Sequence, residues 1–280
     1  MTSIDGYSAL RTAGGAVRRT DRGVLAVSGS DRATWLQGLV TNDVVALADG
    51  GQCYAAYLTP QGRMITDMHI LARGPQLLLD VPAPLAPALR DRLDGLIFAE
   101  DAQVRDESAN LAVWTVFDGA AVIGAAPTVV IIAAAEKPNR AEVGLAAYEI
   151  VRVEDGVPKF LVDMTEETIP LEAGIEGRAI SFTKGCYVGQ EVIIRVTHRG
   201  GGRVAKKLVR WTAEPFDAPV PAGDARIVSG DRDIGRVTSA VAPPGRSAMA
   251  GLGYVHRDFA EGGTDVTLVW NDARIPAKVE

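Results

Sequence analysis

Lys184, Cys186, Tyr187, Gln190 and Glu191 put an ammonium, a thiol, a phenol, an amide and a carboxylate within eight residues, with Gly185 and Gly189 between them. Neither a core strand nor a surface helix needs that mixture. If the chain runs extended through 179–183 and beyond, Lys184 and Cys186 share a face, because side chains alternate along a strand. An ammonium beside a thiol favours the thiolate. Cys186 is therefore a candidate nucleophile, redox thiol or metal ligand. Nucleophilic catalysis asks for a base as well, and spacing assigns none of His69, His198 and His256 to that task. A lone cysteine also reads as a small buried hydrophobe; the flanking Lys184 and the two glycines weigh against that. Gly189 marks a change of direction. After it, residues 190–197 read as a helix, with Glu191 and Arg195 spaced to pair.

A second set of candidates lies in strands. Residues 52–58 and 63–71 flank Thr59-Pro60-Gln61-Gly62, a turn sequence, and form a predicted hairpin. Arg63, Ile65, Asp67, His69 and Leu71 share one face of its second strand. Asp67 either pairs with Arg63 on a solvated face or lines a cavity, where a carboxylate binds a cationic or hydrogen-bond-donating ligand. Residues 76–81 form a third strand that carries Asp80 among leucines. Arg152, in a predicted helix over 140–153, needs an anion if it points inward. That anion is a structural Asp or Glu, or a ligand carboxylate. Asn42 and Asp43 end an early helix and are expected to bond locally to the backbone.

The supporting elements follow from pattern. Residues 16–29 read as a strand, and Ser30 or Asp31 caps a helix bearing Ala33, Trp35, Leu36 and Leu39. Pro82 and Pro84 lead into a helix striped by Ala86, Leu89, Leu93 and Leu96. Residues 97–134 are β-rich, and 159–162 form a short strand. The glycines of His198-Arg199-Gly200-Gly201-Gly202-Arg203 read as a joint. Beyond it, residues 206–212, 225–229, 234–240, 249–255 and 264–270 are short strands between turn sequences, which predicts a small antiparallel barrel or sandwich. Two regions are expected, 1–199 and 203–280.

Composition narrows the class. The 280 residues are 47% hydrophobic and 23% charged, as in soluble globular proteins, and no apolar run reaches the ~20 residues of a membrane span. Two cysteines cannot form a disulfide framework and fit a reducing cytoplasm. They are also too few to hold a [4Fe–4S] cluster, which takes four thiolates. No zinc spacing, dinucleotide fingerprint, P-loop or lipase elbow is present, so no resident metal site is expected. Net charge of −6 argues against nucleic acid as a general partner. The basic set from Arg195 to Arg210 reads as a solvated face, or as a grip on a polyanionic tail or acidic partner.

Lys184-Gly185-Cys186-Tyr187-Val188-Gly189-Gln190-Glu191 resembles the signature of the YgfZ-type folate-binding proteins, relatives of the glycine-cleavage aminomethyltransferase, or T-protein. Trp35–Asp43, Gln61–Asp67, Arg152–Pro158, Ile169–Gly174 and Ile234–Ser239 resemble further blocks of that family. The resemblance implies an α+β, T-protein-like three-lobed fold: two interwoven N-terminal α/β lobes and a C-terminal antiparallel β-barrel around a channel for tetrahydrofolate. It implies an accessory role in iron–sulfur cluster assembly or repair, with folate and iron–sulfur client proteins or assembly factors as partners. Asp67, Arg152, Glu172, Tyr187 and Glu191 become candidate folate contacts, and Cys186, Lys184 and Asp67 candidate reactive groups. The alternative is a folate-dependent one-carbon transferase. Aminomethyltransferases lack the Lys-Gly-Cys and carry Asn where this chain has Asp80, which sets the accessory role first. An RNA-binding role through the basic set ranks third.

Overall fold

The computed structural model describes residues 3–119, 128–199, 201–214, 223–271 and 273–280; Gly200 of the predicted glycine joint lies outside them. The chain opens with α1 (Ser3–Thr12). Residues 16–29 then form two strands rather than one, β1 (Gly15–Arg18) and β2 (Arg22–Ser28). The tight turn between them, closed by Arg22 N donating to Arg19 O, sends the two strands into different sheets.

After α2 (Arg32–Gln37) come the predicted hairpin, β3 (Gln52–Leu58) and β4 (Met64–Arg73), then β5 (Gln76–Pro82), α3 (Ala86–Asp94) and β6 (Gln103–Asp106). Strands β2 to β6 make one sheet, in the order β3-β4-β5-β2-β6. A second sheet, β8-β7-β1-β9, is built from β7 (Leu111–Phe117), β8 (Thr128–Ala133), β1 and β9 (Glu142–Val143). Pairing of Glu142 and Val143 with β1 delays the helix predicted over 140–153, so that α4 runs Leu145–Glu154.

Alternation places the cores. Leu25, Ile70 and Leu79 lie on one face of the first sheet and pack with Trp35, Leu36, Leu89 and Leu93 of α2 and α3. Val24, Ala26 and Leu78 lie on the other and pack against Val113, Val129 and Ile131 of the second sheet. Helices α1 and α4 join through Leu10, Ala147 and Val151.

Residues 155–189 hold no strand. The short strand expected at 159–162 is a turn, with Phe160 bridged to Met164 and Leu161 at φ 71°. The extended run expected over 179–183 is also absent: α5 (Glu176–Ala179) ends there and an irregular loop follows to α6 (Gln190–Ile194), which continues as a π-turn over Arg195–Arg199. The loop's N–H groups explain the difference. Ser181 N donates to Thr41 O and Val188 N to Gly38 O, not to a strand ladder.

The barrel is closed, β10-β13-β12-β11-β14-β15. Its strands are β10 (Lys206–Ala213), β11 (Arg226–Ser229), β12 (Arg232–Val241), β13 (Met249–His256), β14 (Asp265–Trp270) and β15 (Ala273–Val279). Strand β15 adds a sixth to the five strands expected, and it carries Pro276, a residue that weakens a strand signal. Its pairing with both β14 and β10 closes the barrel. Trp211, Ile227 and Leu268 fill the interior.

Candidate functional site

The cross-strand register builds a polar end on an otherwise apolar sheet face. Tyr54, His69 and Asp80 stand opposite one another on β3, β4 and β5, and directly paired residues point to the same face. Asp67 lies two residues before His69, on that face. Arg22, the first residue of β2, reaches across. Its Nε donates to Asp80 Oδ1 at 2.6 Å, its Nη2 to Asp80 O at 2.8 Å and its Nη1 to Asp67 Oδ1 at 2.9 Å. Tyr54 Oη donates to Asp67 Oδ2 at 2.9 Å, and His69 Nδ1 lies 3.0 Å from Asp80 Oδ2.

Arg22, Asp67 and Asp80 are nearly inaccessible to solvent. Burial alone would push the Asp80 carboxyl up, but Arg22 and His69 outweigh it and hold the carboxyl below its ordinary value. Burial, then the Asp67 charge, push the Tyr54 phenol well up. Asp67 does not pair with Arg63, whose guanidinium donates to Glu167 O instead.

This cluster forms one wall of a cleft whose other side comes from α4 and the turn after it. Arg152 is buried there. It meets Glu149 at 2.6 Å, Asp163 at 2.8 Å and the barrel's Ser239 at 3.2 Å. Thr238 and Ser239 donate to the remaining oxygen of Asp163, at 2.6 Å each. The inward arginine therefore takes the structural carboxylate of the two anions considered, and with it docks the barrel on α4. Lys159 bridges Asp21 and Glu149, and Arg19 grips Asp21 with two bonds of 2.9 Å. Arg178 is the exception. It is exposed, its guanidinium stands 4.7 Å from the Tyr54 ring centroid, and no carboxylate pairs with it among the described residues. The cleft holds about 400 Å³ out to its open mouth, but only about 50 Å³ of that admits water.

No residue of the Lys184–Glu191 loop lines this cleft, though Asn42, which accepts from Lys184, donates to Tyr54 O and Arg178 O. Lys184 turns inward, and its ammonium donates to Gln37 O and Val40 O at 2.6 Å each and to Asn42 O at 3.1 Å. Carbonyls at the end of a helix have no partner within it, and Lys184 supplies three of them after α2. Its ammonium also stands 5.2 Å from the Tyr187 ring, which is buried among Leu58, Met64 and Ile193. Burial lowers the Lys184 ammonium to about 8 and raises the Tyr187 phenol to about 12. The thiol in the field of Lys184 is Cys53, pushed up to about 11 by burial with Lys184 opposing. Cys186 is exposed, as is Glu191. Asp43 bonds locally, as expected, its Oδ1 accepting from Ala46 N; Asn42 does so only in part, its Oδ1 accepting from Asp43 N while its Nδ2 donates to the distant Tyr54 O and Arg178 O.

Gly189 has φ 85°, and a Cβ there would stand 2.6 Å from Thr59 O. The hairpin tip and the start of α6 therefore meet backbone to backbone. Gly189→Ala is expected to cost at least about 2 kcal/mol, combining left-handed strain with the clash. A thermal melt showing an unchanged midpoint would refute this.

The structure brings Asp67 and Arg152 to one cleft, and Lys184 and Tyr187 to one buried contact. Glu172 lines a different cleft, on the barrel side. Sequence reasoning missed Arg22, Tyr54 and Arg178. For Arg22 a signal existed: an arginine leading an apolar strand, matched to two aspartates inside other apolar strands. Among the described residues, no group of three or more His, Cys, Asp and Glu is placed to hold a metal ion, and no helix is long and apolar enough to cross a membrane.

Residues 206–280 match the glycine cleavage T-protein C-terminal barrel domain family. The chain is 29% identical over 239 residues to an iron–sulfur cluster assembly factor IBA57 homologue, mitochondrial, of Mycosarcoma maydis; the match covers 72% of this chain and 58% of that relative, less than two thirds of its length. It is 25% identical over 324 aligned positions to an aminomethyltransferase of Bacillus subtilis, covering 98% of this chain and 88% of the other. In fold it resembles the glycine cleavage system aminomethyltransferase T of Bartonella henselae, with a TM-score of 0.81 at 17% identity over 99% of this chain and 88% of that one. The α+β, three-lobed architecture with its closed barrel is thus that of the T-protein. Residues 206–280 thus carry a glycine cleavage T-protein C-terminal barrel, and over most of its length the chain is similar to an iron–sulfur assembly-factor homologue and to an aminomethyltransferase.

Proposed function

We propose that this chain is an accessory protein of iron–sulfur cluster assembly or repair, that it binds tetrahydrofolate in the Tyr54–Asp67–Arg178 cleft, and that Cys186 serves as a transient thiolate ligand to a cluster in transit. The observation that carries the reading is the exposed Cys186 on a loop pinned from both ends, by the buried Lys184 ammonium and the Gly189 contact. A thiol that hands over a metal must be accessible and held in place. The assembly-factor name of the Mycosarcoma maydis relative supports the same role.

The lining groups suit a pterin in chemistry. Asp67 keeps lone pairs for a donor edge, Tyr54 offers a flat ring, and Arg178 is a free cation for a carboxylate tail. The roomy part of the cleft is far below the roughly 300–1,000 Å³ of ligand sites. Binding therefore requires Arg178 to swing off Tyr54, which its exposed position allows. When bound, the folate would supply one-carbon chemistry; this chain's residues bind and orient it. Titration with tetrahydrofolate should give saturable binding, weakened about tenfold in Arg178→Gln, the loss of one charge-assisted hydrogen bond. Absence of saturation removes the folate half of the reading.

A one-carbon transferase is the other reading, and the aminomethyltransferase relatives favour it. The two separate in cells lacking the endogenous protein. The accessory role predicts that Cys186→Ala loses most cluster-dependent enzyme activity while Asp67→Asn retains it. The transferase predicts the reverse, and that outcome would replace the proposal.

A further inference from the structure

A second cleft, of about 520 Å³, opens on the outer face of the barrel, beside the 169–174 loop that Leu208 N ties down through Glu172 O at 2.7 Å. Its size lies within the usual range for small-molecule sites, roughly 300–1,000 Å³. Strands β10, β11, β12 and β13 supply most of the lining, Glu172 closes one side, and Tyr254 is its aromatic floor. The Lys206 ammonium stands 4.9 Å from the Tyr254 ring centroid and 3.9 Å from the Glu172 carboxylate. Arg236 is exposed at the rim, close enough for its charge to act on the Tyr254 phenol. It makes no hydrogen bond or ion pair with any described residue. Arg226 is loosely engaged, 3.4 Å from Asp233, and both are exposed.

The cleft concentrates positive charge in a chain of net charge −6. Lys206, Arg226, Arg236 and, when protonated, His256 face Glu172 and Asp233. Burial pushes the Glu172 carboxyl up, and the Lys206 charge opposes that shift. The Tyr254 hydroxyl is buried beside Thr168 without a well-formed hydrogen bond, and buried polar groups rarely lack one. None of Arg22, Asp67, Asp80 and Arg152 lines this cleft.

We propose that the barrel cleft binds a small organic anion, with a flat or apolar body over Tyr254 and Ile234 and a carboxylate or phosphate held by Arg236 and Lys206. Two cations flanking an aromatic floor select for both parts of such a molecule: charge-assisted hydrogen bonds fix the anion, and the ring face takes the body.

The test is isothermal titration of the full chain with phthalate and with phenyl phosphate, which share an aromatic body and differ in the anion. At least one should bind saturably. Arg236→Gln and Lys206→Gln should each weaken it about tenfold, as loss of one charge-assisted bond requires. Arg90→Gln, which removes the same charge from α3, should leave it unchanged. Three results would each overturn the proposal: no saturable binding of either anion, equal loss in Arg90→Gln, or full binding in the Arg236→Gln/Lys206→Gln double variant. Because tetrahydrofolate is read separately through Arg178→Gln, either site can fail without the other.

Discussion

Arg22→Met is expected to destabilise the fold by about 3–5 kcal/mol, the cost of leaving buried carboxylates without their cation. The guanidinium satisfies Asp80 with two bonds and Asp67 with one, and all three side chains are almost wholly buried. Such a loss is a large share of the roughly 5–15 kcal/mol that holds a typical domain. Arg22→Lys keeps the charge but not the fork, and should fall between the two. The pH dependence identifies the cause. In the wild type the Asp80 carboxyl is held below its ordinary value. Its contribution is therefore complete above about pH 4 and fades as pH falls below that. In Arg22→Met the same carboxyl keeps its burial and loses its main cation, so its pKa rises, and protonation on acidification relieves the strain. Urea midpoints at pH 8 and pH 5 should show the gap between variant and wild type shrinking at pH 5. A gap of constant size would mean that Arg22 acts through packing alone.

Lys184→Met removes the only ammonium on three carbonyls and is expected to cost about 3 kcal/mol, or a midpoint lower by roughly 6–12 °C. Its second consequence is chemical. The Lys184 ammonium is engaged at Gln37, Val40 and Asn42, and its field falls on Cys53. Alkylation of Cys186 in the folded variant should therefore not slow. A markedly slower rate would restore Lys184 as an activator of that thiol. The sign of the pH effect also follows. Folding depresses the Lys184 ammonium to about 8 from 10.5. Between those values the unfolded chain binds the extra proton, so wild-type stability rises with pH across that window while the variant's does not. The gap between them should widen from pH 8 to pH 10.

The sequence carried a good deal of this protein. Alternation and turn residues placed β3, β4 and β5 and the first five barrel strands, because those signals are local: one apolar face and a Gly, Pro or Asp-rich turn at each end. The same alternation put Asp67 and His69 on one face and marked Asp80 as an oddity among leucines. For Arg152 the sequence gives only a condition, an anion if the side chain points inward; the fold supplies both the inward direction and Asp163 as the anion. The blocks that resemble the T-protein family imply its architecture, and the fold has it.

Partnership across long separations was decided only by the tertiary structure. Lys184 and Gln37 are 147 residues apart, and nothing near Lys184 announces that its ammonium closes the end of α2. An extended strand would have aimed it beside Cys186; the hydrogen bonds of Ser181 and Val188 to the 38–41 segment remove that strand. Likewise Arg22 meets Asp67 and Asp80 only because β2, β4 and β5 become neighbours in one sheet. The sequence alone thus marked Asp67, Asp80, Lys184 and Cys186 as chemically out of place in an apolar fold. The tertiary structure decided that Arg22 neutralises the two aspartates, that Lys184 turns inward and that Cys186 remains exposed, because a buried charge must find a partner wherever the chain brings one and an exposed group need not.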